Sequence, residues 1–264
     1  MKEKIQFWKV EELFDLSDKV TFISGIGGIG GILAEAFVRN GSKIILADIN
    51  EQALHRIQKK ITELGFNAET YKMDVTQKKS ISNILGKTLK NYSVIDIFIN
   101  TSGIAMNEKA INFREEDIDR ILSTNLKGTI LCNQLVGRLM SKQGRGKIIN
   151  IGSIGGHITH TLRSMPYGAS KAGVHQVTRS FATELAEYGI NVNSIAPTWV
   201  NTAMTAGKDE SYYENIYNLT PFGRMCEPEE LIGTTIFLAT EASNFITGQT
   251  IFVDGGWSIS KALY

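Results

Sequence analysis

The chain has 264 residues, of which 42% are hydrophobic and 21% are charged, and its formal net charge is +1. This composition is typical of a folded globular protein and gives no electrostatic bias toward nucleic acid or an anionic membrane. The length fits one large domain or two small ones. Because no Pro/Gly/Ser-rich linker or run of like charge divides the chain, we predict one domain.

The N-terminus and the cysteines indicate the cellular setting. The first residues lack the apolar core of a signal peptide, and no stretch approaches the roughly 18 apolar residues of a membrane span, so we predict a cytoplasmic protein. Cys132 and Cys226 lie far apart, without a C-x-x-C spacing or clustered histidines. We therefore expect two buried thiols rather than a disulfide or a metal site.

Residues 1–17 form a candidate N-terminal extension ahead of a single domain at 18–264. Phe7, Val10, Leu13 and Phe14 recur at helical spacing within it. This pattern predicts a short amphipathic helix. Its apolar side packs either on the domain or on a neighbouring subunit.

A glycine-rich turn follows the first predicted strand, at 19–24, and precedes a helical pattern over 31–40. The turn has the spacing G-x-G-x-x-G, in which glycine permits a tight turn and lets the backbone approach a pyrophosphate at the helix N-terminus. An ordinary glycine-rich turn is the alternative. The residues predicted to seat the pyrophosphate are Gly25, Gly28, Ile29 and Gly30.

A second strand, over 43–47, ends in Asp48. The carboxylate follows the last glycine of the turn by about 20 residues, where an acidic side chain binds the hydroxyls of an adenosine ribose. A solvated strand-end carboxylate is the alternative. Asp48 would repel the 2′-phosphate of NADP, and the turn at 24–31 contains no Arg or Lys. We therefore predict NAD as the cofactor, with NADP less favoured.

Strand and helix patterns continue to alternate, with helices over 51–64 and 78–91 and strands over 68–73 and 94–100. Such alternation predicts an α/β fold, a single doubly wound Rossmann-type domain with a parallel sheet of about seven strands and helices on both faces. Ligands bind beyond the carboxyl ends of such strands. The residues at these ends, either cofactor contacts or ordinary turn residues, are Asp74, Asn100 and Gly103.

The second half contains side chains suited to proton transfer. After a long helical pattern over 115–141, a strand over 146–151 leads to Ser153, and a helix over 166–188 carries Tyr167 and Lys171 one turn apart. An ammonium roughly 4 Å from a phenol contributes about 4 kcal/mol at an effective dielectric of about 20, enough to lower the Tyr167 pKa by up to roughly three units. Chance surface neighbours are the alternative.

These residues and several ordered motifs resemble the short-chain dehydrogenase/reductase family from about Phe14 to Trp257, nearly the whole chain. So many matches in order make the resemblance specific. The matching features are the glycine turn, Asp74 with Val75, Asn125 in Thr-Asn-Leu-Lys-Gly, Ser153, Tyr167, Lys171, the stretch 191–197, Gly223 with Arg224, the stretch 227–230, the stretch 246–249 and the stretch 253–257.

The resemblance implies a role for each matching residue. Tyr167 exchanges a proton with the substrate oxygen, and Ser153 hydrogen-bonds the same oxygen. Lys171 holds the nicotinamide ribose and lowers the Tyr167 pKa, while Asn125 fixes a water that links Lys171 to solvent. Hydride transfer then belongs to the cofactor, and the protein orients the reactants and handles the proton. Further cofactor contacts implied are Asp74, Val75, Asn100, Gly103, Pro197, Val200 and Thr202.

The chain departs from the family pattern at four places, one of which is Asn100-Thr101-Ser102-Gly103 in place of the usual Asn-Asn-Ala-Gly. The glycine turn is one residue shorter between its first and second glycines, and Thr198 replaces a common glycine. The segment between the serine and the tyrosine is one residue longer, and its His157, His160 and Arg163 are either substrate contacts or solvated loop residues. Residues 204–217 are expected to form a mobile lid over the site.

These features predict an NAD-dependent oxidoreductase that interconverts a secondary alcohol and a ketone. The stretches 196–204 and 253–257 most resemble the gluconate-5-dehydrogenase-like branch of the family, so the expected substrate is a small sugar acid or polyol. One alternative is reduction of a 3-oxoacyl thioester on acyl carrier protein, although the near-neutral composition suggests no basic docking patch. The other is a non-catalytic nucleotide-sensing protein.

The resemblance also implies a homotetramer, because family members are commonly tetramers that pair two long helices and bury the C-terminal strand. Exposed apolar side chains on these elements would meet a partner subunit. The apolar residues concerned are Leu126, Ile130, Val136, Leu139, Ile259, Leu263 and Tyr264.

Overall fold

The centre of the fold is one parallel sheet of seven strands in a computed structural model that describes residues 9–159 and 164–260. The strands are β1 (Val20–Ser24), β2 (Lys43–Asp48), β3 (Ala68–Lys72), β4 (Ile97–Asn100), β5 (Gly146–Ile151), β6 (Ile190–Pro197) and β7 (Thr250–Val253). They lie in the order β3-β2-β1-β4-β5-β6-β7. The predicted α/β fold with about seven parallel strands is confirmed.

Helices cover both faces of the sheet. The α-helices of the described residues are α1 (Val10–Leu13), α2 (Gly28–Arg39), α3 (Glu51–Glu63), α4 (Lys78–Asn91), α5 (Glu115–Leu122), α6 (Gly128–Gln143), α7 (Met165–Leu185), α8 (Glu210–Leu219), α9 (Ile232–Ala239) and α10 (Trp257–Ser260). Adjacent residues of β1 face two separate cores, because side chains alternate along a strand. Ile23 belongs to the core that includes Leu33 of α2, whereas Phe22 belongs to the core that includes Met140 of α6.

The strand order reverses at β1, which pairs with β2 on one side and with β4 on the other. The crossovers on the two sides of β1 therefore run in opposite directions and leave a crevice beyond the carboxyl ends of these strands. This topology brings the glycine turn after β1 next to the segments that follow β2 and β4.

The predicted helix over 115–141 is wrong as a single α-helix. A π-helical turn, Ser123–Lys127, separates α5 from α6. It turns the fully buried Asn125 toward Ile104, whose backbone N–H donates to Asn125 Oδ1 at 2.8 Å and whose carbonyl accepts from Asn125 Nδ2 at 2.9 Å. A hydrophobic pattern does not distinguish a π turn from a continuous α-helix, because the apolar spacing changes by only one residue.

The described part of the N-terminal segment packs on its own domain. Leu16 is buried in the core with α2, and the Phe14 ring lies 6.4 Å from the Phe237 ring of α9, between centroids. Helix α1 is only four residues long and has no buried residue. Phe7 lies outside the described residues. Helix α2 begins at Gly28, three residues earlier than predicted.

The two cysteines are buried free thiols, as predicted. Within the described ranges no helix has the length and hydrophobicity needed to cross a membrane. The prediction that Val136 lies on an exposed interface is wrong, because this residue is fully buried in the hydrophobic core. Ile130 and Ile259 are 38% and 74% exposed, whereas Leu263 and Tyr264 lie outside the described residues.

Candidate active site

A cavity of about 1190 Å³ opens at the carboxyl edge of the sheet. It exceeds the roughly 300–1,000 Å³ of an ordinary small-molecule pocket, so it has room for a dinucleotide and a substrate. Nearly all residues predicted for the site line it. They are Gly25, Gly28, Ile29, Gly30, Asp48, Asp74, Val75, Gly103, Ser153, Tyr167, Lys171, Pro197, Val200 and Thr202.

The glycine turn forms one end of this cavity. Helix α2 starts at Gly28, and its N-cap, Gly27, provides no side-chain cap, so the first amides of the helix have no carbonyl partner within it. A Cβ at Gly27 would meet nothing within 4 Å, whereas one at Gly30 would collide with the carbonyl oxygen of Gly25. Open amides at a helix N-terminus bind anions, so this end fits the pyrophosphate of a dinucleotide.

A hydrogen bond from the end of β4 holds the shorter glycine turn in place. Thr101, directly after β4, donates its hydroxyl to the Gly25 carbonyl at 2.5 Å. On the other side of α2, a Cβ at Gly28 would lie 2.5 Å from the Thr202 methyl carbon. The turn is therefore packed between the segments after β4 and β6, a pairing that spacing along the chain does not reveal.

Asp48 faces the cavity with both carboxylate oxygens oriented by backbone amides. Oδ2 accepts from the Ile26 N–H at 2.8 Å, and Oδ1 accepts from the Asn50 N–H at 2.8 Å. Each oxygen keeps further acceptor capacity, so the fixed carboxylate fits a pair of ribose hydroxyls. Lys72 lies in register with Asp48 on β3, but its Nζ pairs with Glu51 Oε1 at 3.2 Å.

Two predicted residues, Asn100 and Asn125, lie behind the cavity wall rather than on it. Asn100 accepts from the Ser24 hydroxyl at 2.9 Å and donates to Thr129 Oγ1 at 2.9 Å. Its side chain therefore links β1, β4 and α6, and a cofactor contact at Asn100 stays a prediction. Asn125 donates to Ser170 Oγ at 3.0 Å and so joins the π turn to α7.

The catalytic candidates meet where β5 ends against α7. Tyr167 forms a side-chain hydrogen bond with Ser153, whose hydroxyl also accepts from the Gly155 N–H at 3.1 Å. Lys171 donates to the Ile151 carbonyl at 2.7 Å, and its Nζ lies 5.7 Å from the centroid of the Tyr167 ring. The helical spacing of four therefore brings both side chains to one strand end.

The predicted lowering of the Tyr167 pKa by Lys171 is wrong for this structure. Burial raises the pKa of Tyr167, and the hydrogen bond from Ser153 opposes that effect. Burial also lowers the pKa of Lys171 from 10.5 to about 8. The cost of removing a phenolate from water outweighs the attraction between the two groups. Tyr167 is consequently a neutral hydroxyl, suited to donating a proton.

Several lining residues were not singled out as site residues from the sequence. Trp199, which follows β6, and Tyr212 of α8 share a side-chain hydrogen bond and both line the cavity. The sequence could have indicated Trp199, because this aromatic residue follows Pro197 at the end of β6. Arg120 and Lys208 also line the cavity and bring positive charge to it. Part of the segment predicted to form the lid, 204–217, also lines the cavity, including Met204, Tyr212 and Ile216.

The loop histidines and arginine divide into two groups. His157 packs its ring against Phe252, with centroids 4.9 Å apart, and does not line the cavity in the part of the chain that the structure describes. His160 and Arg163 lie outside the described residues.

The chain is similar in sequence to a known protein family and to several of its members. A family model described as enoyl-(acyl carrier protein) reductase matches residues 25–258. The 3-oxoacyl-[acyl-carrier-protein] reductase of Thermotoga maritima is 35% identical, with 91% of this chain and 98% of the relative covered. The 2-dehydro-3-deoxy-D-gluconate 5-dehydrogenase of Bacillus subtilis is 36% identical, with 94% and 98% covered.

Among solved structures, a gluconate 5-dehydrogenase from Burkholderia cenocepacia in complex with NADP and tartrate is 32% identical. It aligns with a TM-score of 0.90 over 95% of this chain and 99% of its own. Fold, cavity and relatives agree, and the chain belongs to the short-chain dehydrogenase/reductase family, whose nicotinamide-dependent enzymes act on CH–OH groups.

Proposed function

We propose that this enzyme is an NAD-dependent oxidoreductase that interconverts the secondary alcohol and ketone forms of a small sugar acid or polyol. The observation that carries the proposal is the convergence of Ser153, Tyr167 and Lys171 on one wall of the cavity whose far end holds the glycine turn and Asp48. A cleft with a proton donor at one end and an anion seat at the other supports a dinucleotide-dependent reaction on an alcohol or ketone.

Each group of the chain has one task in this proposal. A bound nicotinamide cofactor supplies or accepts the hydride. Tyr167 donates its proton to the oxygen of a ketone, since burial keeps the phenol neutral. Ser153 hydrogen-bonds that oxygen and fixes its position beside the phenol. Lys171 is anchored on the Ile151 carbonyl and lines the cavity, where its remaining N–H groups would hold the nicotinamide ribose.

The preference for NAD is supported by Asp48. Its carboxylate is held in the cavity by two backbone amides and accepts hydrogen bonds from ribose hydroxyls, but it repels a 2′-phosphate. Lys72, the basic side chain in register with it, is paired with Glu51. The NADP in the Burkholderia structure belongs to that protein, and a direct comparison of the two cofactors has to decide the matter for this chain.

The choice of a sugar acid or polyol is supported by the named activities of relatives and by the cavity wall. Trp199 and Tyr212 line the cavity, and an aromatic ring suits the apolar face of a carbohydrate chain or ring. Arg120 and Lys208 supply positive charge for a carboxylate. The rival substrate, a 3-oxoacyl thioester, is favoured by the Thermotoga relative's activity.

One screen tests the proposal. Reduction of 5-keto-gluconate, related keto-sugars and an acetoacetyl thioester is followed at equal concentrations, with NADH and with NADPH. We expect the highest kcat/KM for a keto-sugar acid with NADH. Clear preference for the thioester would establish the rival reaction. Cofactor binding without turnover of any substrate would favour the non-catalytic nucleotide sensor.

We also propose a homotetramer, supported by an open apolar groove on the α5–α6 side. The groove has a volume of about 420 Å³, and its lining residues are Asp119, Leu122, Ser123, Leu126, Lys127 and Ile130. Covering such a groove removes apolar surface from water. Light scattering on the purified protein at micromolar concentration tests the proposal, and a monomer would refute it.

A further inference from the structure

One face of α7 contacts the end of β5 at three successive helical turns. Tyr167 hydrogen-bonds Ser153, and Lys171 donates to the Ile151 carbonyl at 2.7 Å. One turn further on, His175 Nε2 accepts from the Ser153 backbone N–H at 3.5 Å. The spacing of four places these three side chains in a row on the helix. The first two belong to the proposed active site, whereas the third has no part in it so far.

The His175 ring is held in a fitted space. The side chain is 5% exposed, and its ring packs edge-on against Phe252 with centroids 6.5 Å apart. Gly152, between Ile151 and Ser153, leaves room for it, since a Cβ there would lie 2.7 Å from His175 Cδ2 and collide with Nε2. The absence of a side chain at position 152 therefore lets the imidazole reach the backbone of Ser153.

The Ser153 N–H lies just past the sheet hydrogen bonds. The preceding amide, that of Gly152, still donates to the Ile195 carbonyl at 2.7 Å. Ser153 itself is only 6% exposed, so its N–H requires an acceptor within the protein, and an unpaired buried N–H is destabilising. The imidazole of His175 is that acceptor.

The protonation state of His175 is suited to this role. A histidine that accepts at Nε2 is neutral and carries its proton on Nδ1. Burial lowers the pKa of His175 to about 4, and the nearby positive charges of Lys171 and Arg179 act in the same direction. The ring thus remains a neutral acceptor at any pH near neutrality.

We infer that His175 is a positioning residue that holds the backbone of Ser153 so that the serine hydroxyl meets Tyr167 and the substrate oxygen. The inference rests on the proposed function, because it assigns a purpose to the Ser153–Tyr167 geometry. Ser153 has extended backbone angles, φ −169° and ψ 152°, and its hydroxyl caps the following turn through the Gly155 N–H. Rotation of the Ser153 peptide would therefore displace the hydroxyl.

A double-mutant cycle tests the inference. His175→Leu and His175→Met remove the acceptor, while His175→Gln keeps an acceptor oxygen on a side chain of similar reach. We expect kcat to fall about ten- to a hundredfold in the Leu and Met variants, with cofactor affinity nearly unchanged. The Gln variant should retain most of the parent kcat. On a Ser153→Ala background, His175→Leu should cost less than about twofold, because its effect acts through Ser153.

Two results in this cycle would overturn the inference. One is a loss of the same size on the Ser153→Ala background, and the other is parent-like kcat in the Leu and Met variants. If His175→Leu does not fold, the Met and Gln variants complete the comparison, because Met fills the space with a flexible apolar chain.

Hydrogen exchange at the Ser153 amide provides a test that needs no substrate. Exchange should be faster in the Leu and Met variants than in the parent and restored by Gln. Unchanged exchange in both apolar variants would refute the contact. A parent that turns over no substrate would instead refute the proposed function, and the exchange measurement would still decide whether His175 holds Ser153.

Discussion

Two buried lysines lie at opposite ends of β5. Lys147, near the amino end of the strand, is 8% exposed, and Lys171, whose ammonium contacts the carboxyl end, is 5% exposed. Burial lowers the pKa of each from 10.5 to about 8. Burial therefore shifts the pKa of both groups in the same direction, although only one of them lies at the proposed active site.

The surroundings of the two lysines differ. Lys147 donates to Asn191 Oδ1 at 2.8 Å and to Asn244 Oδ1 at 2.7 Å, which joins β5, β6 and the segment before β7. Lys171 donates to the Ile151 carbonyl, lines the cavity and lies beside the Tyr167 ring. A lowered lysine pKa here reports chiefly burial, and it is the partners and the cavity that indicate chemistry.

The largest expected effect comes from removing the Tyr167 hydroxyl. Lys171 lies beside the Tyr167 ring and belongs to the proposed active site, whereas Lys147 does not. Tyr167→Phe should reduce kcat by a factor on the order of 10²–10⁴, because the proton donor is lost, and should leave cofactor binding nearly intact. The matched control is Tyr188→Phe, an exposed tyrosine just after the end of α7. Equal turnover in the Tyr167→Phe variant and the parent would remove Tyr167 from the mechanism.

The second test exchanges each lysine for methionine. Lys171→Met should lower kcat about a hundredfold, because a cationic group beside the proton donor is lost. Lys147→Met should keep kcat within about threefold of the parent, since its partners are structural amides rather than reacting groups. Steady-state kinetics on both variants checks this. Comparable losses in both would show that a buried lysine at either end of β5 acts only through the fold.

The parts of the candidate site that depend on local spacing could be predicted from the sequence. The glycine turn, Asp48 and the Tyr167–Lys171 pair are defined by short-range patterns, and all of them line the cavity. The alternation of strands and helices likewise determined the sheet. Such features follow from periodicity and turn chemistry, which neighbouring residues fix without reference to the rest of the chain.

What the sequence did not reveal depends on contacts between distant segments. The sign of the Tyr167 pKa shift follows from burial, the seat of the short glycine turn depends on Thr101, and the inward position of Asn100 follows from bonds to Ser24 and Thr129. The close packing of the His175 ring against Gly152 likewise joins segments that lie far apart in the chain. Each requires the folded neighbourhood, because no local pattern encodes desolvation or a partner far away in the chain.

The third test concerns Asp48, which lines the same cavity as Lys171 but lies at the predicted cofactor ribose. Asp48→Ala should weaken NAD and reduce discrimination against NADP by about ten- to a hundredfold, the equivalent of a hydrogen bond to a charged group. Asp48→Asn is the matched variant, because it retains an oxygen for the Ile26 amide while removing the charge. Its discrimination should be intermediate. The ratio of kcat/KM for NADH and NADPH checks both, and a parent preference for NADPH would contradict the role of Asp48.

The smallest effect concerns the stability that Lys147 contributes. Its pKa is lower in the folded protein than the usual value of 10.5, so above about pH 8 the unfolded chain binds more protons than the folded one. The free energy of unfolding should therefore rise with pH until the unfolded lysine also loses its proton. Below about pH 8 both states are protonated, and the full cost of burying the charge is present.

Comparison with Lys147→Met isolates this contribution from that of Lys171, which has the same pKa in both proteins. The difference in free energy of unfolding, parent minus variant, should grow by about 1 kcal/mol between about pH 8.5 and 9.5. Denaturant unfolding at a series of pH values measures it. A pH-independent difference would mean that Lys147 retains a solvated, ordinary pKa, and the resemblance between the two lysines would then be limited to their burial.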